Sequence, residues 1–164
     1  MCSKISKVAI YGREIHEEFY PYFKQMLRDL NERGVCLPCY RPFYDFLKEK
    51  CGISNVFQAF YEEDVDQDTD VLFSVGGDGT FLDSAMRVKN HGVPVLGINS
   101  GRLGFLANIA QEEISQAIYW LCAGKFDVEQ RALVKFEMKD NPFAEFNYAL
   151  NEISVLKTER SSLL

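Results

Sequence analysis

The sequence predicts an α/β protein: a parallel sheet with helices on both faces, followed by the first strands of an all-β domain. Three observations carry that expectation. From residue 4 to residue 124, short strand-type apolar runs alternate with stretches of helical spacing, which is the signature of a parallel sheet. Two of the runs, 71–75 and 93–98, are apolar almost throughout, as in strands covered on both faces. After Gly124 the alternation ends and no helical spacing returns. The expected domains are therefore 1–124, α/β, and 125–164, the start of a β domain.

The first strand falls within 4–12, where Val8-Ala9-Ile10-Tyr11 ends in glycine. A helix over 15–33 follows from Phe19, Tyr22, Phe23, Met26, Leu27 and Leu30, which recur at three and four. Pro21 belongs in its first turn, where a missing N–H costs little, and Gly34 stops it. A second strand over 35–40 leads into a short helix over 42–50, closed by Gly52. The segment 56–61 reads as strand or loop. The acid-rich stretch 62–70 precedes the central strand 71–75. A helix over 79–89, a buried strand over 93–98 and a helix over 112–122 complete the alternation. Beyond it, 125–138 and 146–158 read as strands with a turn near Asn141-Pro142.

Composition narrows the functional classes. The chain has 164 residues, 47% of them hydrophobic, enough for one domain or one and part of another. A net charge of −6 argues against sequence-independent binding to nucleic acid or to an anionic membrane. No apolar run approaches a membrane span. Residues 1–4 lead into a strand with no cleavage site, so no signal peptide is expected. Five cysteines at irregular spacing fit reduced thiols in a cytoplasm.

The chemistry concentrates behind the central strand, at Gly76-Gly77-Asp78-Gly79-Thr80. In an open α/β sheet, ligands bind where strand C-termini lead into helices. Glycines there let backbone N–H groups converge on a phosphate, and the helix behind adds its positive end. No lysine follows, so this is not a Walker loop, and Leu82 stands where a dinucleotide fingerprint needs its third glycine. Asp78 is the distinctive residue, because a carboxylate inside an anion cradle repels phosphate. Either it acts on a hydroxyl or a metal, or it merely caps the helix.

A second glycine-rich loop, Gly-Ile-Asn-Ser-Gly-Arg-Leu-Gly-Phe-Leu at 97–106, also follows a buried strand. In it Asn99 is a candidate partner for ribose or phosphate and Phe105 for stacking on a base, with core packing as the alternative for the ring. At 151–152, Asn151 and Glu152 pair an amide with a carboxylate, suited to vicinal ribose hydroxyls; a solvated strand end is the alternative.

These three motifs, in this order, resemble the NAD kinase family. The resemblance runs from the first strand to residue 164 and implies a Rossmann-like fold. It further implies transfer of the γ-phosphoryl of ATP, or of polyphosphate, with Mg²⁺ or another divalent cation, to the 2′-hydroxyl of the adenosine ribose of NAD. Asp78 would be the base facing that hydroxyl. Gly77, Gly79 and Thr80 would form the phosphate turn, Phe105 would lie against adenosine, and Asn151 and Glu152 would hold the NAD ribose. A homo-oligomer built through the C-terminal β domain would follow. Asp83 stands where many members carry a basic residue. Members also continue past residue 164, so the chain resembles their N-terminal part and is expected to be inactive alone. The alternatives are a lipid kinase of the diacylglycerol type, which shares the GGDG motif, and a non-catalytic nucleotide-binding domain.

Other signals are weaker. Cys36 and Cys39 have redox spacing but lie in a strand, so packing is expected. The acids 64–70 lack the glycine and glutamate of a calcium loop and read as a solvated loop. His16 and His91 lie far apart in sequence and are assigned no role.

Overall fold

The computed structural model describes residues 5–88, 91–137, 147–150, 152 and 154. It divides into two compact units, Met1–Val128 and Glu129–Leu164.

The first unit is a five-stranded parallel sheet. In chain order its elements are β1 (Val8–Gly12), α1 (Tyr20–Asn31), β2 (Pro38–Tyr40), α2 (Arg41–Cys51), β3 (Ala59–Tyr61), β4 (Val71–Gly76), α3 (Asp78–Val88), β5 (Val95–Asn99) and α4 (Ile114–Cys122). The strand order is β3-β2-β1-β4-β5. Chain order reverses between β1 and β4, so the crevice at their C-terminal ends is the topological switch point. The pairs Gly12↔Val75 and Gly76↔Asn99 bring the three strand ends level.

Side-chain alternation separates two cores. Val8, Ile10, Phe73 and Val75 face a large cluster completed by Phe23, Met26 and Leu30 of α1, Phe43 and Leu47 of α2, and Ile114, Ile118 and Leu121 of α4. Ala9, Tyr11 and Leu72 point to the opposite face and meet Val88 of α3, Val65 and Val93. Both central strands are buried along their whole length, which accounts for their unbroken apolar runs.

Several boundaries differ from expectation for local reasons. The helix expected over 15–33 begins regularly only at Tyr20, after a single 3-10 turn at Glu17–Phe19. Pro21 sits in its first turn and fixes that start. The ambiguous segment 56–61 contains a strand, because Ala59, Phe60 and Tyr61 pair with Pro38, Cys39 and Tyr40. The strand expected over 93–98 runs Val95–Asn99; Pro94, with no N–H, contributes only its carbonyl, to the Leu72 N–H at 2.9 Å.

Cys39 is fully buried in β2 and burial pushes its thiol far up, as for a packed rather than a reactive cysteine. The acidic stretch is more organised than a solvated loop. Asp66 and Asp68 both receive Lys7 Nζ, at 2.7 and 2.6 Å. Asp70 accepts the Ser6 N–H at 2.7 Å, the Ser6 hydroxyl at 2.9 Å and the Lys7 N–H at 2.9 Å, so the entry to β4 is fastened to the entry to β1.

In the second unit, β6 (Val134–Lys135) and β7 (Tyr148–Ala149) pair antiparallel. The strand expected over 125–138 reduces, among the described residues, to β6, since extended chain becomes strand only where a partner accepts its hydrogen bonds.

Candidate functional site

The GGDGT segment closes β4 and opens α3. Gly76 is the last residue of β4 and Asp78 the first of α3, so the turn is a single residue long. Close packing explains Gly76: a Cβ there would collide with the Thr80 hydroxyl oxygen and would lie 2.7 Å from Thr80 Cβ. Gly77 and Gly79 differ, because an added Cβ at either would meet nothing within 4 Å. Gly79 within a helix costs about 0.5–1 kcal/mol relative to alanine, and no packing among the described residues requires it. Open space over two glycines at a helix N-terminus leaves room for a ligand to approach the backbone. The first N–H groups of α3 have no carbonyl one turn back and are available as donors there.

Asp78 does not cap its own helix. Its carboxylate reaches the second glycine-rich loop, where Oδ2 accepts the Phe105 N–H at 3.0 Å and Oδ1 accepts the Leu106 and Ala107 N–H groups at 2.9 and 3.0 Å. The bonds from Phe105, Ala107 and Leu106 hold the Asp78 carboxyl below the usual carboxylate range. Two motifs 27 residues apart therefore form one structure.

Asn99 shapes the same loop from inside. It is 3% exposed. Its Nδ2 donates to the Arg102 and Ala107 carbonyls at 2.6 and 3.3 Å, and its Oδ1 accepts the Gly101 N–H at 2.8 Å. The loop then returns beside β5, with the Asn99 N–H donating to the Ile109 carbonyl at 2.8 Å. Phe105 stands at its outer turn, 95% exposed, so core packing does not explain that ring. Glu152 is exposed in the second unit; Asn151 lies outside the described residues.

Sequence reasoning missed four participants. Arg13, just past β1, pairs with Asp83 of α3 at 2.8 Å; the acid found where the resemblance suggested a base thus faces a guanidinium from the neighbouring strand. Gly104 approaches Asp78 so closely that a Cβ there would overlap the carboxylate. Leu106 and Ala107 contribute only backbone N–H groups, which carry no sequence signature.

Comparison with known families decides the kinship. The family described as ATP-NAD kinase N-terminal domain matches residues 8–126, most of the chain. The chain belongs to the NAD kinase family. It is 35% identical to a NAD kinase of Bacteroides fragilis over 158 residues, covering 96% of this chain and 54% of that protein. It is 34% identical to a NAD kinase of Flavobacterium psychrophilum over 161 residues, covering 96% and 55%. It therefore spans about half the length of the curated NAD kinases it matches. Its fold is similar to a crystal structure of yeast NADH kinase complexed with NADH, with a TM-score of 0.61 at 19% identity over 85% of this chain and 45% of that one.

Among the described residues of this NAD kinase family member, no group of three or more His, Cys, Asp or Glu side chains stands together as a metal site. Nor is any helix among them long and apolar enough to cross a membrane.

Proposed function

We propose that the protein, at its full length, is a NAD kinase that transfers the γ-phosphoryl group of ATP to the 2′-hydroxyl of the adenosine ribose of NAD, yielding NADP and ADP. The observation that carries this reading is the joining of the two glycine-rich loops through Asp78. It sets free helix N-terminal donors, a carboxylate and an exposed aromatic ring side by side at the switch point.

In this reading the N–H groups of Gly77, Gly79 and Thr80 donate to phosphate oxygens at the positive end of α3. Phe105 lies against adenine. The Asp78 Oδ1 lone pairs are both engaged, whereas Oδ2 accepts a single N–H and keeps one lone pair for the 2′-hydroxyl. That oxygen attacks the γ-phosphorus as the bond to the β–γ bridging oxygen breaks, and the hydroxyl proton leaves toward Oδ2 or water. A carboxyl held at low pKa is a weak base, but a loose phosphoryl transition state asks mainly for alignment and charge neutralisation. A Mg²⁺ ion accompanying the donor would neutralise charge on its phosphates. Asn151 and Glu152 bind the NAD ribose, the full-length protein assembles as a homo-oligomer through its β domain, and it works in the cytoplasm.

The test is NADP formation by the full-length protein from NAD with Mg²⁺–ATP or polyphosphate. Absence of NADP with either donor, with a diacylglycerol phosphorylated in a parallel assay, would transfer the assignment to the lipid kinases. Asn151→Ala and Glu152→Ala should each weaken NAD binding about tenfold or more, with ATP binding retained. Calorimetric titration with each nucleotide separately reads this, and equal losses for both ligands would remove the pair from the acceptor site.

A further inference from the structure

We infer that Asp78 is, beyond any contact with the reacting hydroxyl, a positioning residue: its carboxylate latches the loop 100–107 onto the GGDGT turn and thereby presents Phe105 to the nucleotide. The functional half of this inference rests on the NAD kinase reading; the latch itself does not.

The geometry separates a latch from an incidental contact. Three successive N–H groups, of Phe105, Leu106 and Ala107, converge on one side chain at 2.9–3.0 Å. Successive amides converging on an anion form the same concave nest that binds free anions elsewhere; here the anion belongs to the chain. Gly104 completes the fit, since any side chain at 104 would enter the volume of the carboxylate. The other end of the loop is held independently, by the buried amide of Asn99 and by the Ser100 N–H, which donates to the Gly76 carbonyl at 3.3 Å. Asn99 thus organises the rear of the loop and meets Asp78 at Ala107, whose carbonyl it binds while Asp78 accepts the N–H; Asp78 alone holds Phe105 and Leu106 among the described residues.

The front is where the exposed ring stands. Phe105 has 95% of its surface open to solvent, so packing does little to orient it. Its backbone N–H is bound to Oδ2 and the two following N–H groups to Oδ1. With the carboxylate removed, three donors lose their acceptor together, and on that side the loop keeps the bond from Asn99 Nδ2 to the Ala107 carbonyl at 3.3 Å. A neutral amide is a poor replacement, because an asparagine in the same pose turns one NH₂ group toward backbone donors. Asp78 thereby carries a role in binding that a pure proton acceptor lacks.

The experiment compares Asp78→Asn, Gly104→Ala, Phe105→Ala and the double variant Asp78→Asn/Phe105→Ala in the full-length protein, each first checked for an unaltered thermal transition. Gly104→Ala keeps the carboxyl group but displaces it from the loop, so it breaks the latch without removing a base. Amide exchange at Leu106 and Ala107, followed without ligand, should accelerate at least tenfold in Asp78→Asn and in Gly104→Ala. NAD affinity, titrated calorimetrically without phosphoryl donor so that nothing turns over, should fall at least tenfold in both. Phe105→Ala should lower NAD affinity by a similar factor, and the double variant should bind no more weakly than the worse single one, because both changes remove the same contact. Unchanged amide exchange overturns the latch whatever the binding data. Accelerated exchange with unchanged NAD affinity, or additive losses in the double variant, overturns its role in presenting Phe105. If the unmodified protein binds no NAD while exchange still responds to both variants, the NAD kinase reading falls and the latch stands.

Discussion

Two aspartates flank β4, one at each end, and both bind backbone N–H groups of a distant segment. Asp70 ties the entry of β4 to Ser6 and Lys7, and Asp78 ties its exit to 105–107. The chemistry is the same and the location differs. Asp70 sits at the N-terminal edge of the sheet, where parallel α/β folds place no ligand, and its hydrogen bonds join two strands that already pair. Asp78 sits at the C-terminal edge beside open glycines, and its hydrogen bonds shape a loop whose front, at Leu103 and Phe105, is exposed. The position of a clasp in the topology decides whether losing it is felt as stability or as function.

The sharpest contrast is in turnover. Asp78→Asn in the full-length protein should lower NADP formation by about two to four decades, the range for removal of a group acting on the transferred proton, whereas Asp70→Asn should leave turnover unaltered. Comparable losses in the two variants, assayed well below their melting temperatures, would erase the distinction between the two ends.

Stability should show the reverse order. Asp70→Asn removes an ionised acceptor from three hydrogen bonds and should cost about 1–3 kcal/mol by urea denaturation. Asp78→Asn should cost less, because the front of the loop it holds, at Leu103 and Phe105, is exposed.

Acid should close the gap between native protein and Asp70→Asn. Burial pushes the Asp70 carboxyl up, but the hydrogen bonds from Ser6 and Lys7 more than offset this and hold it below its usual range. An acid whose folded pKa lies under its unfolded value of about 3.9 adds stability that is complete above about pH 4. That stability disappears as pH falls through the lower folded value. The two denaturation midpoints, well separated at pH 7, should therefore converge below about pH 4; a constant separation would assign the Asp70 effect to packing.

The smallest effect is at Phe105. Phe105→Leu should shift stability by no more than about 0.5 kcal/mol, as for other exposed positions. A larger loss would show that the ring supports the loop rather than a ligand.

What was legible in the sequence follows from how the information is stored. The order of elements was visible because α1, α2 and α4 each bury one face at helical spacing and β1 and β4 are apolar throughout. The two glycine-rich loops were visible because glycine and aspartate are conspicuous directly behind such strands. The partner of Asp78 was not, because the groups it binds are backbone amides, identical at every residue other than proline. Nor was Arg13 conspicuous, since a lone arginine after a strand becomes meaningful only when α3 brings Asp83 to 2.8 Å from it. Pairing of 59–61 was equally hidden, because a three-residue strand is defined by its neighbour and not by its own composition.

The strand order has a further consequence, in time rather than in energy. Every strand pair of the main sheet is parallel, so no hairpin can form first and template the rest. The central pair β1–β4 meets across the intervening α1, β2, α2 and β3, and the Asp70 clasp beside it joins residues 63 and 64 apart. Closing a loop of that length costs about 4 kcal/mol of chain entropy before any contact at the far end compensates. Folding should accordingly be slower than for a helical bundle of equal size. The switch-point crevice, which needs β1, β4 and β5 level with one another, is assembled only after that closure. A nascent chain therefore acquires its candidate site late, when nearly the whole of the first unit has already been made.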